Sequence, residues 1–521
     1  MKASKRISRR DMFRASGLTA GGLLTASAAA SGATPATNRA ANLYTRIGVR
    51  PFINCTATYT INGGTLTLPV VKAAMDEASR YPVNLDELME KVGERLAELL
   101  QCELGIVTAG AAAALTHATA ACVAGADPEK MKQLPDLSGL KNEVIMPRQS
   151  RNVYDHAIRT VGVKMVEIDS REEFHAALGK RTAMVAVLGT GEARGNLRLE
   201  EMAESAHKIG VPVLVDAAAE LPTPPNPYLK RGADLVAYSG GKIIQGPQCS
   251  GLLVGRKDLV QAAWINSSPH HAFGRALKVG KEEIMGQLAA IEYWVRERDL
   301  KAEHRTWEGW YAHISKVVTA LGGIQTRVNP AAGASPFPVL YVEWEAARYN
   351  LTAGELGQKL LEGEPRIMSH AGGEGHSFII RPVAMQPGEE KLVAARLAEI
   401  FRQSAGSSRP QDLRSPALSM AGRWDVEVRF VSGSSKHTLY LEQDGNKITG
   451  AHHGRSLKGD LVGAIDGDQV RLLSSFRYEG AALRYEFTGQ AAGDSMEGGI
   501  DLDEYGKASF SARRHRYAGR G

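Results

Sequence analysis

The sequence predicts an α/β protein with a mostly parallel sheet, followed by a small all-β barrel. Between residues 43 and 402, helical patterns such as Leu85 to Gln101 alternate with short Val-rich segments such as Val211 to Val215. This alternation is typical of parallel strands covered by helices. From Trp424 onward the apolar residues follow a period of two, with turn signals such as Asp444-Gly445-Asn446. That pattern predicts about eight short antiparallel strands closed into a barrel or sandwich.

Composition and pattern divide the chain into five segments. These are a basic leader at 1–38, a large domain at 42–309, a small α+β domain at 310–402, a linker at 403–417 and the barrel at 418–517. The linker is rich in Ser and Pro and lacks periodicity. Because domain boundaries fall where composition shifts, we expect the barrel to be separable from the core and to contribute no chemistry.

The leader carries most of the positive charge. Six basic residues and one acidic residue, Asp11, lie before residue 38, whereas the whole chain has a formal charge of +6. Ser8-Arg9-Arg10-Asp11-Met12-Phe13-Arg14 precedes a weakly apolar run, a pattern similar to a twin-arginine signal. We therefore expect the export machinery as a partner and a periplasmic or otherwise exported enzyme. The alternative is a disordered basic tail.

The rest of the composition excludes several classes of function. The nearly neutral remainder gives no nucleic-acid signal, and no other run is long and apolar enough for a membrane span. The four cysteines, Cys55, Cys102, Cys122 and Cys249, have neither metal-ligand spacing nor a disulfide pattern, so we expect buried thiols. No metal is expected, since the adjacent His452 and His453 would point to opposite faces of a strand.

Two charged side chains follow apolar strands in the large domain. Asp216 ends the strand from Val211, and Lys242 closes the turn Ser239-Gly240-Gly241-Lys242 after the next strand. Both lie at the carboxyl edge of the sheet, where α/β proteins bind ligands. Pyridoxal phosphate needs this pair, because a lysine amine forms the Schiff base and a carboxylate keeps the pyridine nitrogen protonated. The alternative is a helix-capping aspartate and a solvated loop lysine.

Small residues beside this pair favour a bound phosphate. Ser239 offers a hydroxyl, and the two glycines after it allow close backbone approach or a positive φ. Upstream, a short strand ends at Ala109-Gly110 and leads into an Ala-rich helix that begins at Ala111. The free N–H groups and the dipole at such a helix start favour an anion.

Three stretches, Asp216-Ala217-Ala218, Ser239-Gly240-Gly241-Lys242 and Gly246-Pro247-Gln248, resemble one branch of the fold-type-I pyridoxal-phosphate enzymes. It is the branch of selenocysteine synthase and D-glucosaminate-6-phosphate ammonia lyase. The opening segment, Arg46 to Thr58, is similar to that branch as well, with Cys55 and Ala57 where the family more often has small residues and glycine. The similarity covers roughly residues 42 to 405 and implies a fold-type-I transferase fold.

The resemblance also implies roles for individual residues. Lys242 and Asp216 are the expected catalytic pair, and Ala109, Gly110, Ala111 and Ser239 are expected to hold the cofactor phosphate. One side chain is expected to lie over the cofactor ring. It should follow the strand between the phosphate cradle and Asp216, and the candidates are Gln149, Arg151 and Asn152. His156 is expected on the following helix as an ordinary helix residue.

Substrate contacts are expected from further positions, namely Asn54, Thr56, Arg151, Arg381 and Arg366. Arg381 ends a strand of the small domain and could bind a carboxylate bidentately, while Arg366 competes for this role. The alternative for Arg381 is a plain surface arginine. A homodimer or higher homo-oligomer is expected, and the barrel is similar to a lipocalin-type module.

The resemblance to the ammonia lyase implies a lyase. Lys242 would take the α-proton of an amino acid, a β-hydroxyl would leave, and the enamine would hydrolyse to a 2-oxo acid and ammonia. The resemblance favours a 2-amino-3-hydroxy acid or an amino-sugar acid, and export favours an unphosphorylated one. Racemisation and retro-aldol cleavage use the same residues and stay open. Selenocysteine synthesis fits poorly with export away from tRNA, and the non-enzyme alternative is an exported ligand-binding scaffold.

Overall fold

The computed structural model describes residues 42–192, 194–332, 335–370, 375–406 and 413–516. The predicted twin-arginine signal at 1–38 and the middle of the predicted linker lie outside these ranges. Within the described ranges, no helix combines the length and the apolar character needed to cross a bilayer.

The large domain begins with a short strand and continues as alternating helices and strands. Its elements are β1 (Ile53–Asn54), α1 (Pro69–Ser79), α2 (Leu85–Leu100), β2 (Leu104–Thr108), α3 (Ala111–Ala124), α4 (Pro128–Gln133), β3 (Glu143–Pro147), α5 (His156–Arg159), β4 (Lys164–Ile168), α6 (Arg171–Ala177), β5 (Thr182–Leu188), α7 (Gly189–Glu192), α8 (Leu199–His207), β6 (Val213–Asp216), α9 (Pro227–Lys230), β7 (Leu235–Ser239), β8 (Gly251–Gly255), α10 (Lys257–Ile265) and α11 (Lys281–Arg296).

A seven-stranded sheet in the order β2-β8-β7-β6-β5-β3-β4 forms the centre of this domain. The strands from β7 to β4 are parallel, and β8 runs antiparallel between β7 and β2. Every residue of β6 is buried, as expected for a strand covered on both faces. The predicted α/β class with a mostly parallel sheet is confirmed.

The small domain packs a three-stranded sheet against helices. Its elements are α12 (Leu300–Thr319), β9 (Ile324–Asn329), β10 (Val339–Trp344), α13 (Ala353–Glu362), β11 (Ile367–Met368), β12 (Ser377–Ile380) and α14 (Glu389–Gln403). The sheet order is β12-β10-β9, while β11 pairs in parallel with β1. The opening segment therefore runs beside the small domain, and Tyr311, Phe378 and Phe401 are fully buried in their shared core.

The C-terminal region is a closed barrel of eight antiparallel strands. They are β13 (Gly422–Arg429), β14 (Ser434–Asp444), β15 (Lys447–His453), β16 (Lys458–Asp466), β17 (Gln469–Tyr478), β18 (Ala481–Ala492), β19 (Ser495–Asp501) and β20 (Lys507–Arg514). Burial alternates along β17 from Gln469 to Arg477, and Trp424 and Phe487 are buried in the interior. The predicted all-β barrel is confirmed.

The expectation of four buried thiols holds only in part. Cys55 is buried, whereas Cys249 is exposed in the turn before β8. All four cysteines are free thiols.

Candidate active site

Three strands end at one edge of the large sheet and present the predicted chemistry there. Asp216 is the last residue of β6, Ser239 is the last residue of β7, and β2 ends at Thr108, two residues before Gly110. Because these strands are parallel to one another, their carboxyl ends share an edge. The antiparallel strand β8 starts at the same edge, with Gly251 paired to both Thr108 and Ser239.

Asp216 is a buried carboxylate with few partners. The residue is only 6% exposed, and its Oδ1 accepts a hydrogen bond from the Ala218 N–H at 3.1 Å. Burial raises the pKa of Asp216, while the Ala218 N–H and the charge of Lys242 act in the opposite direction. A carboxylate in this position is suited to hold a cationic N–H donor of a ligand.

Lys242 follows in the turn after β7. Burial lowers the pKa of its amine, and the negative charge of Asp216 partly opposes this effect. Its Nζ lies 5.7 Å from the ring centroid of Tyr154. A lysine with a lowered pKa has more neutral amine at neutral pH, which is the form that acts as a nucleophile or base.

The turn that carries Lys242 is fixed by close packing. The Gly240 N–H donates to the Ser250 carbonyl at 2.8 Å, and the Gly246 N–H donates to the Gly240 carbonyl at 2.9 Å. A Cβ on Gly240 would lie 2.1 Å from both Ser250 Oγ and Gln287 Oε1. Close approach, and not a positive φ, therefore explains the glycine at this position.

The start of α3 forms an open cradle of backbone donors. Gly110 is its N-cap residue, with φ of 94°, and no side chain caps the helix. The Thr108 hydroxyl donates to the Gly110 carbonyl at 2.9 Å, and a Cβ on Gly251 would lie 2.4 Å from the Gly110 carbonyl carbon. Free N–H groups at the start of this 14-residue helix favour an anion.

These groups together fit pyridoxal phosphate. Lys242 supplies an amine with a lowered pKa, Asp216 a buried carboxylate, and Gly110 the N-cap of an uncapped helix start. Ser239 is partly buried beside them. Amine, carboxylate and anion cradle are the three features that the cofactor requires.

The segment after β3 carries the residues expected near the cofactor ring. Asn152 accepts the Tyr154 N–H at 2.8 Å, donates to the Ser150 carbonyl at 3.0 Å, and lines a small internal space with Asp216. Gln149 instead packs beside Gly195: a Cβ added to Gly195 would lie 1.9 Å from Gln149 Nε2. Asn152 is therefore the better placed of these two.

Arg151 does not face the ligand space. Its side chain is 2% exposed and pairs with Asp155 and Glu167, each at 2.5 Å, and with Glu479 of the barrel. Because these carboxylates engage the guanidinium, the expected substrate contact of Arg151 is not supported. His156 begins α5 and is exposed.

Tyr154 was not singled out from the sequence. It lies in a single helical turn, Val153–Asp155, and lines the cleft with Lys242. An aromatic residue shortly after a strand end was the one available signal, and in sequence alone that signal is too common to be informative.

A cleft of about 830 Å³ lies in front of Lys242. Its walls come from the opening segment, the large domain and the small domain, and include Tyr59, Tyr154, Phe337, Tyr341 and Arg381. Arg381 Nη1 is buried without a hydrogen-bond partner among the described residues. A buried guanidinium N–H without a partner is costly, so this atom is a suitable donor for a ligand carboxylate.

Arg366, the competing arginine, is engaged elsewhere. Its Nη1 donates to the Arg50 carbonyl at 3.0 Å and its Nε to the Leu361 carbonyl at 3.2 Å. Its guanidinium carbon also lies 5.9 Å from the Phe52 ring centroid. Of the two arginines, only Arg381 is among the residues that line the cleft.

Asn54 and Thr56 shape the opening segment. Asn54 Oδ1 accepts the Thr56 N–H at 2.8 Å and its hydroxyl at 2.7 Å, and Asn54 Nδ2 donates to the Ala57 carbonyl at 2.9 Å. Ala57 has φ of 72°, a left-handed conformation that costs a non-glycine residue about 1–2 kcal/mol. Both polar side chains are buried and hold this turn, while Thr56 bridges to Arg381.

Comparisons with known proteins agree with this site. The aminotransferase class-V family matches residues 74–275. The chain is 31% identical over 386 residues to a 5'-C-glycyluridine monooxygenase-decarboxylase of a Streptomyces species, covering 70% of this chain and 93% of the relative. It is 28% identical over 380 residues to the D-glucosaminate-6-phosphate ammonia lyase of Salmonella typhimurium, covering 70% of this chain and 99% of the relative.

A solved structure supports the same relationship. The structure titled D-glucosaminate-6-phosphate ammonia-lyase aligns with a TM-score of 0.62 at 28% identity, over 70% of this chain and 99% of that chain. Fold, site and relatives define a pyridoxal-phosphate-dependent enzyme. The chain belongs to the fold-type-I pyridoxal-phosphate-dependent enzymes and is related to D-glucosaminate-6-phosphate ammonia lyase.

Proposed function

We propose that the protein is a lyase that releases ammonia from a 2-amino-3-hydroxy acid by α,β-elimination. The observation that carries this proposal is that Lys242 and Arg381 line one cleft, with the buried carboxylate of Asp216 at the strand end behind it. Amine, carboxylate and guanidinium serve pyridoxal-phosphate chemistry at the α-carbon of an amino acid, and the choice of elimination among these reactions rests on the relative. The ammonia-lyase relative supports the reaction class.

Each residue has one task in this reaction. Lys242 would hold the cofactor and would take the substrate α-proton at Nζ; its lowered pKa favours the neutral form that does this. Asp216 would keep the ring nitrogen of the bound cofactor protonated. Bound pyridoxal phosphate supplies the electron sink for negative charge at the α-carbon. Ser239 and the start of α3 bind the phosphate.

The atoms of the reaction balance without a further reagent. The substrate loses its α-proton to Lys242 and its β-hydroxyl as water, with the proton returned by the Lys242 ammonium. The resulting enamine adds water and releases ammonia, leaving a 2-oxo acid. The net change is the conversion of an amino acid into a 2-oxo acid and ammonia.

We infer that the substrate carries no phosphate. Among the described residues that line the cleft, Lys242 and Arg381 are the cationic ones, and residues 333–334 and 371–374 contain neither Lys nor Arg. If Lys242 holds the cofactor and Arg381 the α-carboxylate, the described residues that line this cleft offer no further cation for a phosphate dianion, which usually pairs with Arg or Lys.

A screen for ammonia tests the function. Purified cofactor-loaded protein is incubated with D- and L-β-hydroxy amino acids and with aminoaldonates, each with its phosphorylated counterpart where one exists. We expect equimolar ammonia and 2-oxo acid from an unphosphorylated compound, and none from Lys242→Ala. Glycine and an aldehyde as products would instead indicate retro-aldol cleavage, and loss of optical activity alone would indicate racemisation.

Exposed apolar residues between positions 43 and 81 support a homodimer. They include Leu43 at 72%, Ile47 at 76%, Ile61 at 90% and Tyr81 at 62% exposure. A concentration of exposed apolar residues marks an association surface, and we infer that a second copy covers it. Light scattering at micromolar concentration should give twice the chain mass, and Ile61→Ser should lower it; a monomeric wild type would contradict this inference.

We infer export through the twin-arginine pathway from the Arg9-Arg10 pair and the weakly apolar run after it. This segment lies outside the described residues, so the proposal rests on sequence alone. Cell fractionation should recover the wild type outside the cytoplasm and the Arg9→Lys, Arg10→Lys double variant inside it. Equal distribution of the two proteins would contradict the proposal.

A further inference from the structure

The hairpin turn between β17 and β18 of the barrel packs against the large domain beside the cofactor site. Gly480 in this turn is pressed against the segment 151–155: a Cβ on it would lie 2.1 Å from the Asn152 carbonyl oxygen and 2.6 Å from Asp155 Oδ2. Glu479, just before it, has φ of 52°. This close backbone contact leaves no room for a side chain at position 480.

Buried charges reinforce the contact. The Arg151 side chain is 2% exposed, the Asp155 side chain is 0% exposed, and Glu479 is one of the carboxylates that engage Arg151. Glu479 itself is 36% exposed, and Arg151 also pairs with Asp155 and Glu167, so Glu479 supplies one of three ion pairs that hold the buried guanidinium. Glu479 therefore stabilises Arg151 in its present position.

Two weaker contacts flank this centre. Arg477 of β17 lies 3.6 Å from Glu167, which also pairs with Arg151. The guanidinium of Arg159 lies 5.9 Å from the ring centroid of Tyr478, a distance typical of a cation–π contact. The hairpin thus meets the core at several adjacent points.

The segment held by the hairpin faces the cofactor site on its other side. Asn152 and Asp155 line an internal space together with Asp216. Tyr154 lines the cleft together with Lys242, whose Nζ is 5.7 Å from its ring. Segment 151–155 therefore lies between the barrel and the catalytic pair.

We propose that Glu479 and Gly480 are positioning residues that fix segment 151–155 against the cofactor site, so that the barrel is a working part of this site. The inference rests on the cofactor position proposed above, with Lys242 as its anchor. It departs from the expectation, based on the linker sequence, that the barrel is separable from the core, and it assigns the barrel a positioning role without any chemistry of its own.

Two full-chain variants test the proposal in the cofactor-free and cofactor-loaded forms. Gly480→Ala forces a methyl group into the contact with Asn152, and Glu479→Gln removes the charge that pairs with Arg151. We measure the dissociation constant of pyridoxal phosphate from its visible absorption band. We also measure hydrogen exchange of peptides covering residues 151–156.

Matched controls come from the same barrel. Gly499 lies in β19, where the nearest atom to an added Cβ is 3.9 Å away, so Gly499→Ala tests an added methyl group without crowding. Glu427 pairs with Arg429 within the barrel at 3.0 Å, so Glu427→Gln breaks an ion pair that does not reach the core. Both controls should keep the wild-type dissociation constant and exchange rates.

We expect Gly480→Ala to raise the cofactor dissociation constant about tenfold, the scale of a small overpacking penalty, and to speed exchange at 151–156. Glu479→Gln should have a smaller effect in the same direction. Wild-type cofactor affinity and exchange in both variants would overturn the proposal. If Gly480→Ala unfolds the barrel, seen as exchange throughout β13–β20, Glu479→Gln alone decides.

The two readouts separate this inference from the proposed function. Faster hydrogen exchange at 151–156 without a change in cofactor affinity would show that the hairpin holds this segment. It would refute the proposal that this contact supports the cofactor site. A negative substrate screen would contradict the proposed function but not this inference, because cofactor affinity and hydrogen exchange are both measured without substrate.

Discussion

Replacing Asp216 with Asn tests the role of the buried carboxylate. The two side chains have nearly the same volume, and the amide oxygen of Asn can still accept the Ala218 N–H that Oδ1 accepts at 3.1 Å. We therefore expect Asp216→Asn to fold and to retain cofactor. What it loses is the negative charge of a residue that is only 6% exposed. In the proposed function this charge keeps the proton on the cofactor ring nitrogen.

The size of the loss follows from the burial of this charge. A positioned electrostatic group in a site that excludes water contributes about 2.7–4 kcal/mol to the transition state. That corresponds to a fall in turnover of roughly 10²- to 10³-fold. The assay is ammonia release at saturating cofactor, with the visible absorption band as the check that cofactor is bound.

Asp169 provides the matched control. It directly follows β4 at the same edge of the sheet, is exposed, and pairs with Arg148 at 2.7 Å. Asp169→Asn should leave turnover unchanged. Activity of Asp216→Asn within about threefold of wild type, roughly 0.7 kcal/mol, would refute the role assigned to Asp216.

Three further perturbations test other parts of the site. Arg381→Lys should raise KM about 10- to 100-fold, since a bond to a charged group is worth about 1.5–3 kcal/mol, and should keep the cofactor band; Arg366→Lys is the control, and equal KM values in the two variants would contradict the assignment. Gly251→Ala should abolish cofactor retention in equilibrium dialysis, because its Cβ would lie 2.4 Å from the Gly110 carbonyl carbon, and a fully loaded variant would argue against the cradle. The lowered pKa of Lys242 means that the folded cofactor-free protein binds fewer protons than the unfolded chain between this pKa and 10.5, so stability should rise with pH across that window. Thermal melts of Lys242→Met should lose this rise, whereas an unchanged slope would show that Lys242 titrates normally.

The sequence was sufficient for the features that depend on local pattern. Strands that end in Asp216 and Ser239 are marked by continuous apolar runs, and the parallel order of the sheet then requires their ends to meet. Gly110 before an Ala-rich helix marks the cradle in the same way. Each of these predictions follows from a few adjacent residues and one rule of sheet topology.

The sequence did not predict contacts between segments that are distant along the chain. The pairing of Arg151 with Glu479 joins residues 328 positions apart, and no local pattern indicates it. The barrel interior shows the same limit: His452 faces inward as alternation requires, but its partner His437, at 2.8 Å, comes from the neighbouring strand. The choice of Arg381 over Arg366 likewise depends on which backbone carbonyls lie within reach of each guanidinium.

Glycine interrupts the sequence pattern of two barrel strands. β16 contains Gly463, and β19 contains the pair Gly498-Gly499. Glycine has no side chain to mark a face, so it interrupts the period-two signal. A Cβ on Gly463 would lie 2.2 Å from the Arg471 carbonyl oxygen, and one on Gly498 2.2 Å from the Thr488 carbonyl oxygen. Close backbone packing between strands explains both residues.

Borohydride reduction of the purified full-length protein decides whether Lys242 anchors the cofactor. Reduction fixes the cofactor to the amine that holds it, and mass mapping of peptides then locates the modified lysine. We expect a single modified peptide, containing Ser239-Gly240-Gly241-Lys242, and no modification in Lys242→Ala. A label on any other lysine, or an unlabelled protein that retains its visible band, would contradict the assignment of this site.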